Sequence, residues 1–180
     1  TMGDGKDPYE LVYEDCRVPH ENVVGEVGMA FTYGARHLTH GRIMLAAMCL
    51  GMAERSIELA VEWAKQRYTF GKKISEYQAI QWMLADSQVE LDAAKFLVMR
   101  AAWLHDNNKE VRTEAHMAKL YASEMCQRVT DRCIQIFGGI GYTLEHPIQS
   151  FWRHTRVKRI GHGTTEIHRW MIARNMLRDK

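Results

Sequence analysis

No stretch of about eighteen apolar residues occurs in the 180-residue chain, so no segment is built to cross a bilayer as a helix. The first residues carry no basic run followed by an apolar core, the pattern of a secretion signal. Prolines number only three, and two of them fall in the first 28 residues, leaving the long segments that follow unbroken. Neither sign of charge is in excess. With 24 Lys and Arg against 22 Asp and Glu, the net charge is +2 with the histidines neutral. That removes the electrostatic argument for nucleic acid or membrane as partner. The four cysteines, Cys16, Cys49, Cys126 and Cys133, form no Cys-x-x-Cys pair. Cys126 and Cys133 stand two helical turns apart on one face, which suits packing rather than bridging. A reducing compartment with cysteines as small core residues is the expectation. There is no internal repeat and no low-complexity segment.

What is present divides into two regions. Tyr9-Glu10-Leu11-Val12-Tyr13-Glu14 alternates in a strand-like way, and Val18-Pro19 followed by Asn22-Val23-Val24-Gly25 reads as an extended tail with turns. One strand without a partner makes no stable sheet. Residues 1–28 are therefore expected to be the tail end of a β-rich domain, and the chain a fragment of a longer one. From Met29 the pattern is helical. Leu50, Ala53, Ile57, Ala60, Val61 and Ala64 recur at three-and-four spacing over residues 31–66. A second segment opens at Ser75, with Gln78 as a capping-box pair, carries Leu84, Leu91, Ala94, Leu97, Ala101 and Leu104, and breaks at Asn107-Asn108. A third begins near Thr113 with Ala118, Ala122, Met125, Val129 and Ile136 inward, and stops at Gly138-Gly139. Shorter helices are expected over 147–157 and, after the loop at 161–163, to about 178. Residues 29–180 should thus form an all-α, up-and-down four-helix-type bundle with an extended or β remnant at its N-terminus.

Three stretches break the helical pattern. Arg67-Tyr68-Thr69-Phe70-Gly71-Lys72 could grip a phosphate and stack on a planar ring, or could be a plain helix C-terminus. Gln135-Ile136-Phe137-Gly138-Gly139-Ile140-Gly141-Tyr142 lets backbone amides approach an oxygen-rich ligand, or makes a sharp turn between helices. It lacks the preceding strand and the glycine spacing of a dinucleotide fingerprint. Gly161-His162-Gly163-Thr164-Thr165-Glu166 reads as a tight loop feeding a helix N-terminus. Gly161 and Gly163 permit positive φ, and Thr164 or Thr165 can cap the helix. The partial positive charge there favours an anionic or electron-rich ligand. His162 is a reactive group on a held loop or an ordinary surface histidine. A metal is not expected: His154, His162 and His168 lack the i, i+4 spacing of a helical zinc pair.

In order and spacing these stretches resemble the C-terminal half of the acyl-CoA dehydrogenase family. Asp15-Cys16-Arg17-Val18-Pro19 is similar to the exit from that family's middle β-domain, and His40-Gly41-Arg42-Ile43 to the opening of its first bundle helix. Arg67-Tyr68-Thr69-Phe70-Gly71-Lys72 with Gln78-Ala79-Ile80, the glycine turn at 135–142, and Gly163-Thr164-Thr165-Glu166-Ile167-His168-Arg169 are similar to its flavin-binding motifs. The resemblance implies an FAD-dependent oxidoreductase of about twice this length that desaturates an acyl-CoA. Arg67, Thr69 and Phe70 would contact the FAD of a neighbouring subunit, with Gln135, Gly138 and Gly139 completing that site. Thr164 and Glu166 would contact FAD from the terminal helix, and Arg42 would lie near the acyl cavity. A site shared between subunits implies a homodimer or homotetramer. Electron-transferring flavoprotein or oxygen would be the acceptor, and the bacterial cytoplasm or the mitochondrial matrix the compartment. The 180 residues alone are expected to be inactive.

The resemblance breaks at the base. The family abstracts the α-proton with a carboxylate, usually placed immediately before the Gly-Thr of the closing loop, where this chain has His162. A minority places it one residue before the arginine of the first helix, where this chain has Gly41. Three readings follow. Neutral His162 is itself the base; or the chain is a non-catalytic subunit of a hetero-oligomer; or monooxygenase-type relatives are the better comparison. A bare helical interaction module is the reading outside enzymology.

Overall fold

Apolar residues at helical spacing, uninterrupted by proline, produce three long helices: α1 (Ala30–Gln66), α2 (Gln78–Asp106) and α3 (Arg112–Phe137). Two helices of 12 residues follow, α4 (Pro147–Lys158) and α5 (Thr165–Met176). Between α1 and α2 lies a minimal antiparallel hairpin, β1 (Tyr68–Thr69) and β2 (Lys72–Lys73), in which Tyr68 pairs with Lys73 and Thr69 with Lys72. This computed structural model describes residues 9–178; residues 1–8 of the expected β-domain remnant, and 179–180, lie outside the described residues. The all-α bundle expected from the sequence is the observed architecture.

The chain divides into two units, Thr1–Gly34 and Ala35–Lys180. In the first, no strand forms among the described residues; the backbone is irregular apart from a 3-10 turn at His20–Asn22 and the first turn of α1. A strand-like sequence with no neighbour to complete its ladder does not become a strand. Cys16 is exposed there, against the expectation of a core residue, because this stretch has no core to enter.

In the second unit α3 is central: α2, α4 and α5 all pack on it. Its inward face mixes small residues, Ala115, Ala118, Ala122, Cys126 and Cys133, with larger ones such as Met125 and Val129, all buried. Cys49 of α1 and Cys126 of α3 are both fully buried, and burial raises the Cys133 thiol to about 12. Ion pairs cross between helices: Lys95 of α2 donates to Glu54 of α1 at 2.8 Å, and Glu90 of α2 accepts from Arg128 and Arg132 of α3 at 2.8 and 2.7 Å. The capping pair expected at Ser75 and Gln78 does not form. Residues Ile74–Glu76 make a 3-10 turn in which the Lys73 N–H donates to Glu76 Oε1 at 3.1 Å, and α2 begins at Gln78. The hairpin sets the entry to α2 instead: the Ile74 N–H donates to the Arg67 carbonyl at 2.9 Å, and the Tyr77 hydroxyl to the Thr69 carbonyl at 2.8 Å.

Candidate functional site

The residues singled out in the sequence fall into two groups at opposite ends of α1. At the Gly41 end sits the loop between α4 and α5. Here His162 itself adopts the left-handed conformation, φ 57°, and Gly163 follows at φ 101°. Gly161, expected to supply that freedom, does not take positive φ. A non-glycine residue in this region costs about 1–2 kcal/mol and persists only where neighbours hold it. Two bonds do so. The buried Lys119 ammonium of α3 donates to the Gly163 carbonyl at 2.8 Å, and Arg42 Nε of α1 to the His162 carbonyl at 3.4 Å. Thr164 rather than Thr165 caps α5, accepting from the Ile167 N–H at 3.4 Å.

The His162 ring rests on Gly41. A Cβ at position 41 would stand 2.9 Å from both Cε1 and Nδ1 of the imidazole, well inside van der Waals contact. The two positions at which a carboxylate was sought are therefore one place, and the histidine of one fills the space left by the glycine of the other. His162 is exposed at the surface, but partial burial of its ring, then the neighbouring Lys119, Lys158, Arg42 and His37, lower its pKa, which favours the neutral base. Arg42 is half-buried, and burial with the charge of Arg112 lowers its pKa as well. Glu166 is exposed; its own N–H and the hydroxyls of Thr164 and Thr165 lower its pKa and keep it ionised at the helix start. Beneath the loop, His116 Nδ1 of α3 meets His168 Nδ1 of α5 at 2.6 Å, both rings buried. Burial first, then surrounding cations, depress His116 to about 4 and His168 to about 3. One ring must donate and the other accept, and the depressed pKa values leave both neutral at pH 7.

At the Gln66 end the hairpin and the glycine turn come together. Phe70 (φ 49°) and Gly71 (φ 84°) form a turn with two positive φ values, the geometry that matches the twist of a two-residue hairpin. Phe70 is 99% exposed at its tip. Arg67 lies over the Trp63 ring at 5.8 Å, and Trp63 packs on Phe137 at 5.6 Å, immediately before Gly138. Gln135, Gly138 and Gly139 are exposed, and Cβ atoms at 138 and 139 would meet nothing within 4 Å. Gly141 is different: its Cβ would stand 2.6 Å from that of Phe137, so only glycine fits. Arg67, Thr69, Phe70, Gln135, Gly138 and Gly139 thus form one surface, and Arg42, His162, Thr164 and Glu166 another. From Arg42 to Gln66 the helix rises about 36 Å, which separates the two groups within one chain.

Lys119, His116 and His168 were not anticipated as parts of the site. A lysine and two histidines on helices read as surface residues, although Lys119 is set among Ala115, Ala122 and Ser123 at helical spacing, which marks an inward face. No group of three metal-ligating side chains occurs among the described residues.

The sequence model for a family described as acyl-CoA dehydrogenase, C-terminal domain, matches residues 28–177. The chain is 44% identical over 168 residues to the mitochondrial short-chain specific acyl-CoA dehydrogenase of Rattus norvegicus, covering 93% of this chain and 41% of that protein. Butyryl-CoA dehydrogenase from Megasphaera elsdenii superposes with a TM-score of 0.90 at 39% identity, over 93% of this chain and 44% of that one. A chain from a structure described as the electron transferring flavoprotein of Acidaminococcus fermentans superposes at 0.91 with 40% identity, with the same coverage. The chain spans less than half the length of these relatives. The relatives include mitochondrial and bacterial proteins, and no helix among the described residues is long and apolar enough to cross a membrane. The chain belongs to the acyl-CoA dehydrogenase family and carries its C-terminal domain.

Proposed function

We propose that the full-length protein is an FAD-dependent acyl-CoA dehydrogenase in which His162 takes the place of the carboxylate base. One observation carries this reading: the His162 imidazole, depressed in pKa, is packed on Gly41 beside Arg42 by a loop that two hydrogen bonds hold in a strained conformation. Backbone strain held in place by its surroundings clusters at functional sites, which supports this reading.

The exposed residues at the Gln66 end fit a flavin. Phe70 offers an unshielded ring, Arg67 a guanidinium, and Gly138 and Gly139 open backbone that a ligand can approach. Because these lie a helix length from His162, the site would be completed by a second copy, and the protein is at least a homodimer. Bound FAD supplies the acceptor for the hydride leaving the β-carbon. His162 accepts the α-proton, and the cationic surroundings of Arg42 and Lys119 stabilise negative charge developing on the thioester. A cavity of about 320 Å³, lined by Arg36, Thr39, His105, Lys109, Glu110 and Arg112, gives a basic recess suited to the phosphates of the coenzyme. The named relatives favour a short acyl chain and an electron-transferring flavoprotein as oxidant.

The test is anaerobic bleaching of flavin absorbance in the full-length protein by an acyl-CoA series beginning at butyryl-CoA. Wild type bleaches, His162→Ala slows the reaction by about 100- to 10,000-fold, and His162→Glu retains it. No bleaching in wild type, with turnover appearing in His162→Glu, means a dehydrogenase scaffold serving another role, such as a non-catalytic subunit. Colourless protein would leave only an oligomerisation module.

A further inference from the structure

Lys119 is the largest of the fully buried side chains, and among the described residues no carboxylate reaches ion-pair distance of its ammonium. Burying an ammonium costs several kcal/mol even after relaxation. An apolar residue of the same length would fill the space without that cost. Its one hydrogen bond, at 2.8 Å, goes to the carbonyl of Gly163, the residue after His162. Gly163 is confined from the other side too: a Cβ there would meet Nε2 of His168 at 3.4 Å, and that buried nitrogen has no hydrogen-bond partner.

We propose that Lys119 is a positioning residue for His162: its buried ammonium pins the Gly163 carbonyl, and so holds the left-handed loop that seats the imidazole on Gly41. The inference rests on the dehydrogenase reading only for its effect on rate. Burial lowers the Lys119 pKa to about 8, with Cys49, Glu124 and Glu166 opposing and Arg42 reinforcing the shift, so the charge is largely present at pH 7. The groups beside His162 that lower its pKa come from three helices, Arg42 and His37 from α1, Lys119 from α3 and Lys158 from α4. Removing Lys119 therefore frees the loop and also lets His162 take up a proton more readily.

The test uses the full-length holoprotein labelled with [13Cε1]histidine, the His162 signal being assigned by its loss in His162→Gln. In Lys119→Met the His162 titration midpoint moves up, the pH profile of flavin reduction moves up with it, and the reduction rate falls about 10- to 100-fold. Lys119→Arg, which keeps the charge, leaves the midpoint near that of wild type. A Lys119→Met protein that is merely less stable, with midpoint and pH profile unmoved, overturns the proposal. Should Lys119→Met not fold, wild type decides: the His162 signal shows a second inflection near pH 8 as Lys119 loses its proton, and a single inflection overturns the proposal. A shifted midpoint in a protein whose flavin no acyl-CoA bleaches would sink the dehydrogenase reading and leave the positioning role standing. Bleaching that needs His162 with an unmoved midpoint would do the reverse.

Discussion

At the Gly41 end of α1, His162 leans on bare helix backbone, Lys119 and the His116–His168 pair are fully buried, and the loop above them is tied by two hydrogen bonds. At the Gln66 end, Phe70 stands clear of the chain in an equally strained conformation, and the glycine turn beside it faces open space. Both ends hold a non-glycine residue at positive φ, but only one has neighbours that explain it. The first end is tied together within the chain, and the second is left exposed, as the proposed sharing of the site between two copies requires.

Acid should break the buried end first. The folded-state pKa values of His116 and His168, about 4 and about 3, lie below the usual histidine value near 6.5. As pH falls below about 6.5 the unfolded chain takes up protons that the folded chain refuses. Stability is therefore full above that pH and declines by about 1.4 kcal/mol per pH unit per histidine until the folded values are reached. Urea unfolding at pH 7 and pH 5 should show a loss of several kcal/mol, and His168→Gln should flatten it.

The next test separates stability from function at the same end. Gly41→Ala introduces a Cβ that displaces only the tip of the His162 side chain, so the fold accommodates it. Alanine in a helix interior gains up to about 1 kcal/mol over glycine, so the melting temperature should not fall. Flavin reduction should fall by about 10- to 100-fold, because the imidazole has lost its seat. Unchanged reduction would mean that the contact with Gly41 does not position His162.

The glycine turn allows a comparison within the open end. Gly141→Ala collides with Phe137 and should cost about 1–3 kcal/mol in thermal unfolding. Gly139→Ala meets nothing and should change stability by no more than about 0.5 kcal/mol, while weakening flavin retention on dialysis. At the hairpin tip the sign reverses: Phe70→Gly relieves left-handed strain and should stabilise the protein by about 1 kcal/mol. It should still lose FAD more readily than wild type. A variant that loses stability instead would show that Phe70 packs within its own chain.

The contrast also explains what was legible in the sequence. The helices were, since Ala53, Ile57, Ala60 and Ala64 on α1 and Ala118, Ala122, Met125 and Val129 on α3 repeat at a period that only burial imposes, and all eight are buried. The hairpin was not read as one: Arg67 to Lys73 looked like a helix end, though a residue followed by glycine between Tyr68-Thr69 and Lys72-Lys73 is a turn signal. In the closing loop positive φ is expected at Gly161 and Gly163; it is found at Gly163 but at His162 rather than Gly161, because Lys119 and Arg42 hold that backbone from other helices and local sequence carries no trace of such contacts. The complementarity of His162 and Gly41 spans 121 positions (162 minus 41) and becomes visible only when α1 and the loop are brought together.

The most direct test of the shared site is a mixed oligomer of full-length protein in which one copy carries Arg67→Ala with Phe70→Ala and the other His162→Ala. Each variant alone should be inactive in acyl-CoA-dependent flavin reduction. In the mixed dimer one site receives both intact halves, the hairpin of one copy and His162 of the other, so about half of wild-type activity per dimer should return. A mixed dimer as inactive as its parents would place both groups in the same site and contradict the account.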